Sequence, residues 1–169
     1  LSFAIHDFFN QKGFCYVHTP VITSMDAEGA GELFDVHTQS KSGGDFFHRP
    51  VHLTVSGQLA AEAAIFGLRS VYTFGPTFRA ENSNTRGHLA EFWMVEPEMA
   101  FCDLEGCIDV AEDLIRYVLS YVLKHYSEEL KFLSEYKRQG GGLGEVDLVQ
   151  RLEAMSEHAF VRIDYSCLL

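Results

Sequence analysis

Phe78-Arg79-Ala80-Glu81, then Asn82-Ser83-Asn84-Thr85-Arg86-Gly87, then His88-Leu89-Ala90-Glu91-Phe92: the reading of this stretch decides the rest of the chain. An arginine and a carboxylate close one extended run, a polar loop follows, and His-x-x-Glu-Phe opens the next. The flanking runs, Val71 to Arg79 and Ala90 to Cys102, predict two strands joined as a hairpin. Its tip, residues 82 to 89, is longer than a structural turn needs, and loops of that kind more often carry function. A fixed cation, a second cationic group and an aromatic face surround one small space there. Phosphates call for the charge, and a planar base for the ring.

Outward from the hairpin, helix and strand alternate. Leu1, Ile5, Phe8 and Phe9 recur at helical spacing, with Gly13 as a C-terminal stop. Cys15 to Ile22 reads as a strand in which Pro20, unable to donate, belongs at an edge or an interface. Residues 37 to 45 form a polar loop, Leu53 to Ser56 a short strand, and Gln58 to Phe66 an Ala-rich helix ended by Gly67. From Asp103, a reasonable N-cap, the period changes to 3.6. Ile108, Ala111, Ile115, Val118, Leu119, Val122 and Tyr126 line one face of a long helix expected to pack on the sheet. The Gly-rich run 139 to 144 reads as a linker, since no strand precedes it and no GK[ST] follows. Asp147 caps a last short helix, and Phe160 to Tyr165 is expected to return as a strand. The predicted class is α+β, an antiparallel sheet flanked by helices.

Composition sets limits. The 169 residues, 47% of them apolar, suffice for one sizeable core rather than two full domains. A net charge of −11 excludes a basic nucleic-acid sleeve, so any contact with RNA falls to a local site or another part. Cys15, Cys102, Cys107 and Cys167 form no CxxC pair and no zinc spacing, which predicts a reduced, cytoplasmic protein. No uninterrupted apolar run reaches about 18 residues, and Leu1 to Ala4 has no signal-peptide character. With no starting Met and no closing turn after Tyr165, the chain is expected to be part of something larger.

The run Val71 to Thr85 with His88 to Glu98 resembles motif 2 (about residues 71–101) of the class II aminoacyl-tRNA synthetases, and within them the asparaginyl-tRNA synthetases most. Gly13-Phe14 through Pro20 resembles motif 1 (about 3–22), whose proline lies at the homodimer interface of the class. Ala27 to Phe34 resembles the mobile loop over the amino acid, and Leu53 to Leu59 the amino-acid-binding segment. The resemblance runs in order from Leu1 to about Tyr126 and more loosely to Tyr165. It implies a partial class II catalytic core, spanning 1–169, that joins asparagine to ATP and passes it to tRNA(Asn). The implied partners are ATP with Mg2+, asparagine, tRNA(Asn) and a second copy of the chain, with no membrane.

Activation of an amino acid is an in-line attack by a carboxylate already ionised. Orientation and charge neutralisation therefore carry the catalysis. By resemblance, Arg79 bridges the attacking carboxylate and the α-phosphate, Glu81 reads the adenine amino group, His88 and Arg86 approach the terminal phosphates, and Phe92 stacks on adenine. Glu28, Ser56, Gln58 and Glu96 surround the α-ammonium group. Arg79 and Phe92 are expected to grip one nucleotide from opposite ends. Without the resemblance, Arg79 would pair with Glu81 or Glu91, Phe92 would belong to the core, and Glu96 would be a solvated strand carboxylate.

Specificity turns on the position three residues after Gln58. Aspartyl relatives carry a lysine there, whereas this chain has Ala61 followed by Glu62. A carboxylate repels aspartate and accepts from an amide N–H, so Glu62 favours asparagine, although it would otherwise read as a surface charge on an Ala-rich helix. Two departures stand out. The family's arginine before the motif 2 histidine is replaced by Gly87, with Arg86 one residue earlier. Motif 3 with its arginine, the acidic metal ligands ahead of it and an anticodon-binding domain do not appear, so no protein metal ligand is expected in this chain and the chain alone is expected to be inactive. Rival readings are a synthetase-like paralogue of the asparagine synthetase type, an aspartyl-tRNA synthetase, and a non-catalytic dimerisation or binding module.

Overall fold

The computed structural model describes residues 1–27, 29, 32–38, 46–83, 85, 87–139 and 147–167. Two compact units emerge, one from Leu1–Phe8 with Cys102–Leu169 and the other from Phe9–Phe101.

The second unit is built on the hairpin. Strands β4 (Ser70–Phe78) and β5 (Glu91–Met99) pair antiparallel from Ser70↔Met99 to Phe78↔Glu91. Strand β1 (Cys15–Tyr16) joins β4 in parallel, so the three-stranded sheet is mixed, where the sequence predicts a purely antiparallel one. The expected strand from Cys15 to Ile22 is two short pieces: β2 (Ile22–Thr23) leaves the first sheet and pairs antiparallel with β3 (His52–Leu53). Pro20 lies between them, exposed and with no N–H to continue a ladder. The strand predicted over Leu53 to Ser56 is likewise cut short. The Thr54 hydroxyl donates to the Ser56 carbonyl at 2.6 Å, and the Ser56 N–H donates back to Thr54 Oγ1 at 3.3 Å. Those side-chain bonds bend the backbone out of a ladder.

Helix α2 (Gln58–Leu68) runs through Gly67 rather than stopping at it; Arg69, at φ 64°, ends it with its N–H on the Ile65 carbonyl. Helix α1 (Ser2–Gln11) does end as its sequence predicts. Gly13 takes φ 77°, and the Phe14 N–H reaches the Phe9 carbonyl at 2.9 Å. Within the second unit, Phe9 stacks on Tyr72 with centroids 4.4 Å apart, and Val55, Val71, Thr77 and Ala61 are buried with them.

The first unit is helical. Asp103 caps α3 (Leu104–His125) by accepting from the Gly106 N–H at 2.9 Å. The predicted long helix ends at His125, and α4 (Ser127–Gln139), which the sequence reading did not separate, follows it. Asp147 caps α5 (Leu148–Glu157) as expected, accepting from the Val149 N–H. Arg116 of α3 donates to the carbonyls of Ser156 and His158 at 3.0 and 2.8 Å, tying α3 to the end of α5. The predicted strand from Phe160 to Tyr165 does not form; the segment has no regular structure until a 3-10 turn, Tyr165–Cys167. Arg162 holds it to α3 through Glu105 and Asp109 instead of through a ladder. Most of the expected loop at 37–45 and the linker beyond Gln139 lie outside the described residues.

Candidate active site

Pairing across the hairpin decides which side chains meet. Directly opposed residues share a face, so Thr77 with Phe92, Gly75 with Met94, Thr73 with Glu96 and Val71 with Glu98 form one row. Arg79 continues that face two residues beyond Thr77, its N–H bonded to the Ala90 carbonyl at 3.0 Å.

At the open end of the row is a cleft of about 390 Å³ lined by Arg79, Glu81, Ser83, Gly87, His88, Leu89, Ala90 and Phe92. Four of the five residues assigned to the nucleotide and catalysis, Arg79, Glu81, His88 and Phe92, therefore border one space. The fifth, Arg86, lies outside the described residues. The volume is of the size that encloses a small ligand. The Arg79 guanidinium carbon lies 5.6 Å from the Phe92 centroid, so cation and ring touch on one face and do not stand at opposite ends of the space. Phe92 is half-buried, not a core residue, and Arg79 lies against Phe92 and Met94. His88 is exposed on the loop, in contact with the Thr85 hydroxyl through Nδ1.

The other end of the row is a bonded polar network. Glu96 accepts from the Ser56 hydroxyl, from the Gly57 N–H at 3.1 Å and from the Thr73 hydroxyl at 3.0 Å. It is thus not the solvated carboxylate its strand position suggested. Gly57 is the N-cap of α2 and has no side chain to cap with; Glu96 and the Ser56 hydroxyl, which takes the Gln58 N–H at 3.0 Å, serve the first N–H groups instead. A negative group at a helix N-terminus is also favoured by the aligned peptide dipoles. Gln58 Nε2 donates to the half-buried Glu62 at 2.9 Å, one turn along α2, so Glu62 is not a free surface charge.

Two participants escaped the sequence reading. Thr73 is visible only once the register places it opposite Glu96. Glu98, two residues on, shares the face; burial, then Glu62, then Glu96 hold its carboxyl above the ordinary carboxylate range. Glu62, Glu96 and Glu98 together make this corner electronegative, a setting that suits an ammonium or an amide N–H and repels a carboxylate. Glu28 lies outside the described residues, and Pro20 does not line the cleft but borders a small pocket with Ser56 and Gly57. Among the described residues no three His, Cys, Asp or Glu side chains converge as metal ligands.

Residues 1–167 match the family model of class II tRNA synthetases (D, K and N). The chain is 52% identical to the asparagine–tRNA ligase of Desulfotalea psychrophila, over 98% of this chain and 35% of that protein. It is 48% identical to the asparagine–tRNA ligase of Cytophaga hutchinsonii, over 98% of this chain and 37% of that one. The chain thus spans about a third of the length of these relatives. Among solved structures, the asparaginyl-tRNA synthetase of Pyrococcus horikoshii complexed with asparaginyl-adenylate superposes with a TM-score of 0.70 at 34% identity, covering 78% of this chain and 28% of that one. On the family model and the sequence relatives together, the chain belongs to the class II tRNA synthetases of the D, K and N group.

Proposed function

We propose that this chain is the motif 1 and motif 2 part of an asparagine–tRNA ligase catalytic domain, which forms asparaginyl-adenylate from asparagine and ATP and transfers the asparaginyl group to tRNA(Asn). Motif 1 would cover about residues 3–22 and motif 2 about 71–101. The observation that carries the reading is the single row on one face of the hairpin. A cation-and-ring cleft (Arg79, Glu81, His88, Phe92) stands at one end, and an acidic corner (Ser56, Gln58, Glu62, Glu96) at the other.

Chemistry follows from that row. The asparagine carboxylate attacks the α-phosphorus of ATP, the new O–P bond forms, and the bond to pyrophosphate breaks. Arg79, a rigid two-pronged cation, spans the attacking carboxylate and the α-phosphate and neutralises the charge that builds there. Phe92 stacks on adenine and Glu81 accepts from its amino group, while His88 and Arg86 meet the outer phosphates. Magnesium enters with the ATP phosphates as part of the substrate. Ser56, Gln58 and Glu96, with Glu28, orient the α-ammonium group, and Glu62 accepts from the side-chain amide. Ala61 offers no cation to an aspartate carboxylate, which favours asparagine over aspartate. A homodimer with Pro20 at its interface and a cytoplasmic setting complete the proposal; among the described residues no helix is long and apolar enough to cross a membrane.

The test is asparagine-dependent pyrophosphate exchange in the intact gene product carrying this chain. Arg79→Ala should lower the rate by about 100-fold or more, the cost of deleting one group that stabilises transition-state charge. Glu62→Gln should raise the KM for asparagine while leaving that for ATP unchanged. Exchange that responds to aspartate and not to asparagine, or indifference to Arg79→Ala, would refute the reading.

A further inference from the structure

We propose that Met94 is a positioning residue for Arg79, a role resting on the reading of Arg79 as the α-phosphate contact. Four side chains of β5 share the site-facing row at alternate positions: Phe92, Met94, Glu96 and Glu98. Neighbours in such a row stand about 7 Å apart. Met94 is therefore midway between the ring assigned to adenine and the carboxylate assigned to the α-ammonium group, beneath the point where carboxylate and α-phosphate must meet.

Arg79 lies across this row. Its guanidinium carbon is 5.6 Å from the Phe92 centroid, and its Nη2 is 3.9 Å from the Met94 sulfur. Opposite Met94 stands Gly75, which has no side chain to share the space, so the half-buried thioether is what the guanidinium meets on that side of the ring. A thioether is a weak acceptor on a flexible, polarisable stem. It restrains the guanidinium without capturing its N–H groups, and it keeps a low-dielectric floor beneath them, which strengthens their attraction for a phosphate. A strong acceptor at position 94 would compete with the phosphate for the Nη2 group that now faces the sulfur.

A double-mutant cycle in the intact gene product tests this, with titration of magnesium-ATP in the absence of amino acid as the readout. Met94→Gln, which adds a strong acceptor, should weaken ATP binding about 10-fold, and Met94→Ala, which removes the floor, should weaken it in the same direction. Both effects should fall below about 2-fold in an Arg79→Lys background, which lacks the planar fork. Met94→Leu, close in volume and without a polar acceptor, should stay within about 3-fold of wild type. Equal losses in the Arg79 and Arg79→Lys backgrounds would overturn the proposal, as would wild-type affinity in both Met94→Gln and Met94→Ala. The proposed substrate is judged separately, by exchange in the wild-type protein. Coupling between 79 and 94 without asparagine-dependent exchange would sink the substrate assignment and leave Met94 in its role.

Discussion

Glu96 on β5 accepts the backbone N–H of Gly57 at 3.1 Å, so a strand carboxylate holds the start of the helix that follows residue 57. The bond joins two elements 39 residues apart in sequence and stands where the amino acid is proposed to bind.

Two threonine side chains leave Gly57 little room for a Cβ. A Cβ there would lie 2.7 Å from Thr19 Oγ1 and 3.1 Å from Thr73 Cγ2 and Oγ1. Thr73 is itself bonded to Glu96 and fully buried, so it has little room to yield. Gly57→Ala should cost about 1–3 kcal/mol in urea unfolding and raise the KM for asparagine more than that for ATP. Wild-type values for both would show that the contact relaxes freely.

Phe92 offers a cleaner separation of roles. Base stacking on an aromatic side chain is worth about 1–3 kcal/mol, so Phe92→Ala should raise the KM for ATP by about 10-fold or more, while Phe92→Tyr keeps most of the affinity. The KM for asparagine should hardly move, because Glu96 and Ser56 lie further down the row. Equal rises in both constants would place the ring elsewhere in the reaction.

Glu98 predicts a pH dependence of stability. Its carboxyl is raised above its ordinary value by burial, Glu62 and Glu96, so the folded chain binds this proton more readily than the unfolded one. The favourable contribution is present below the unfolded pKa and is lost as pH rises through the folded pKa. Glu98→Gln removes the charge that forms above that point. Its urea midpoint should exceed that of the wild type at pH 7, and the gain should shrink toward pH 4. A constant difference across that range would mean that Glu98 does not titrate between the two states.

Asp103, in the helical unit, serves as a control. Its side chain accepts the Gly106 N–H at 2.9 Å and caps α3. Asp103→Ala should lower stability by about 1 kcal/mol without altering either KM. A change in the ATP constant would implicate the first unit in nucleotide binding.

Local rules explain what the sequence reading found. Gly13, Asp103 and Asp147 are stop and start signals whose chemistry acts within a turn, and all three act as read. The hairpin was legible because both its strands are long and its loop polar. The misses fall where partners are distant. Cys15 to Ile22 looks continuous as a strand, yet its two halves pair with different elements, and Phe160 to Tyr165 finds no strand to pair with. Gly67 failed as a terminator because a glycine inside a helix costs only about 1 kcal/mol, less than the packing of α2 on the hairpin supplies.

The site divides in the same way. Residue types drew attention to the cations, the aromatic face and the polar loop of 78–92, and the resemblance to motif 2 gave Arg79 and Phe92 their roles there. Register supplied the remainder: a period of two sends Phe92, Met94, Glu96 and Glu98 to one face, and pairing with β4 brings Thr73 onto Glu96 and Arg79 onto Phe92. A strand's own sequence states which residues alternate, but only its partner decides which of them meet.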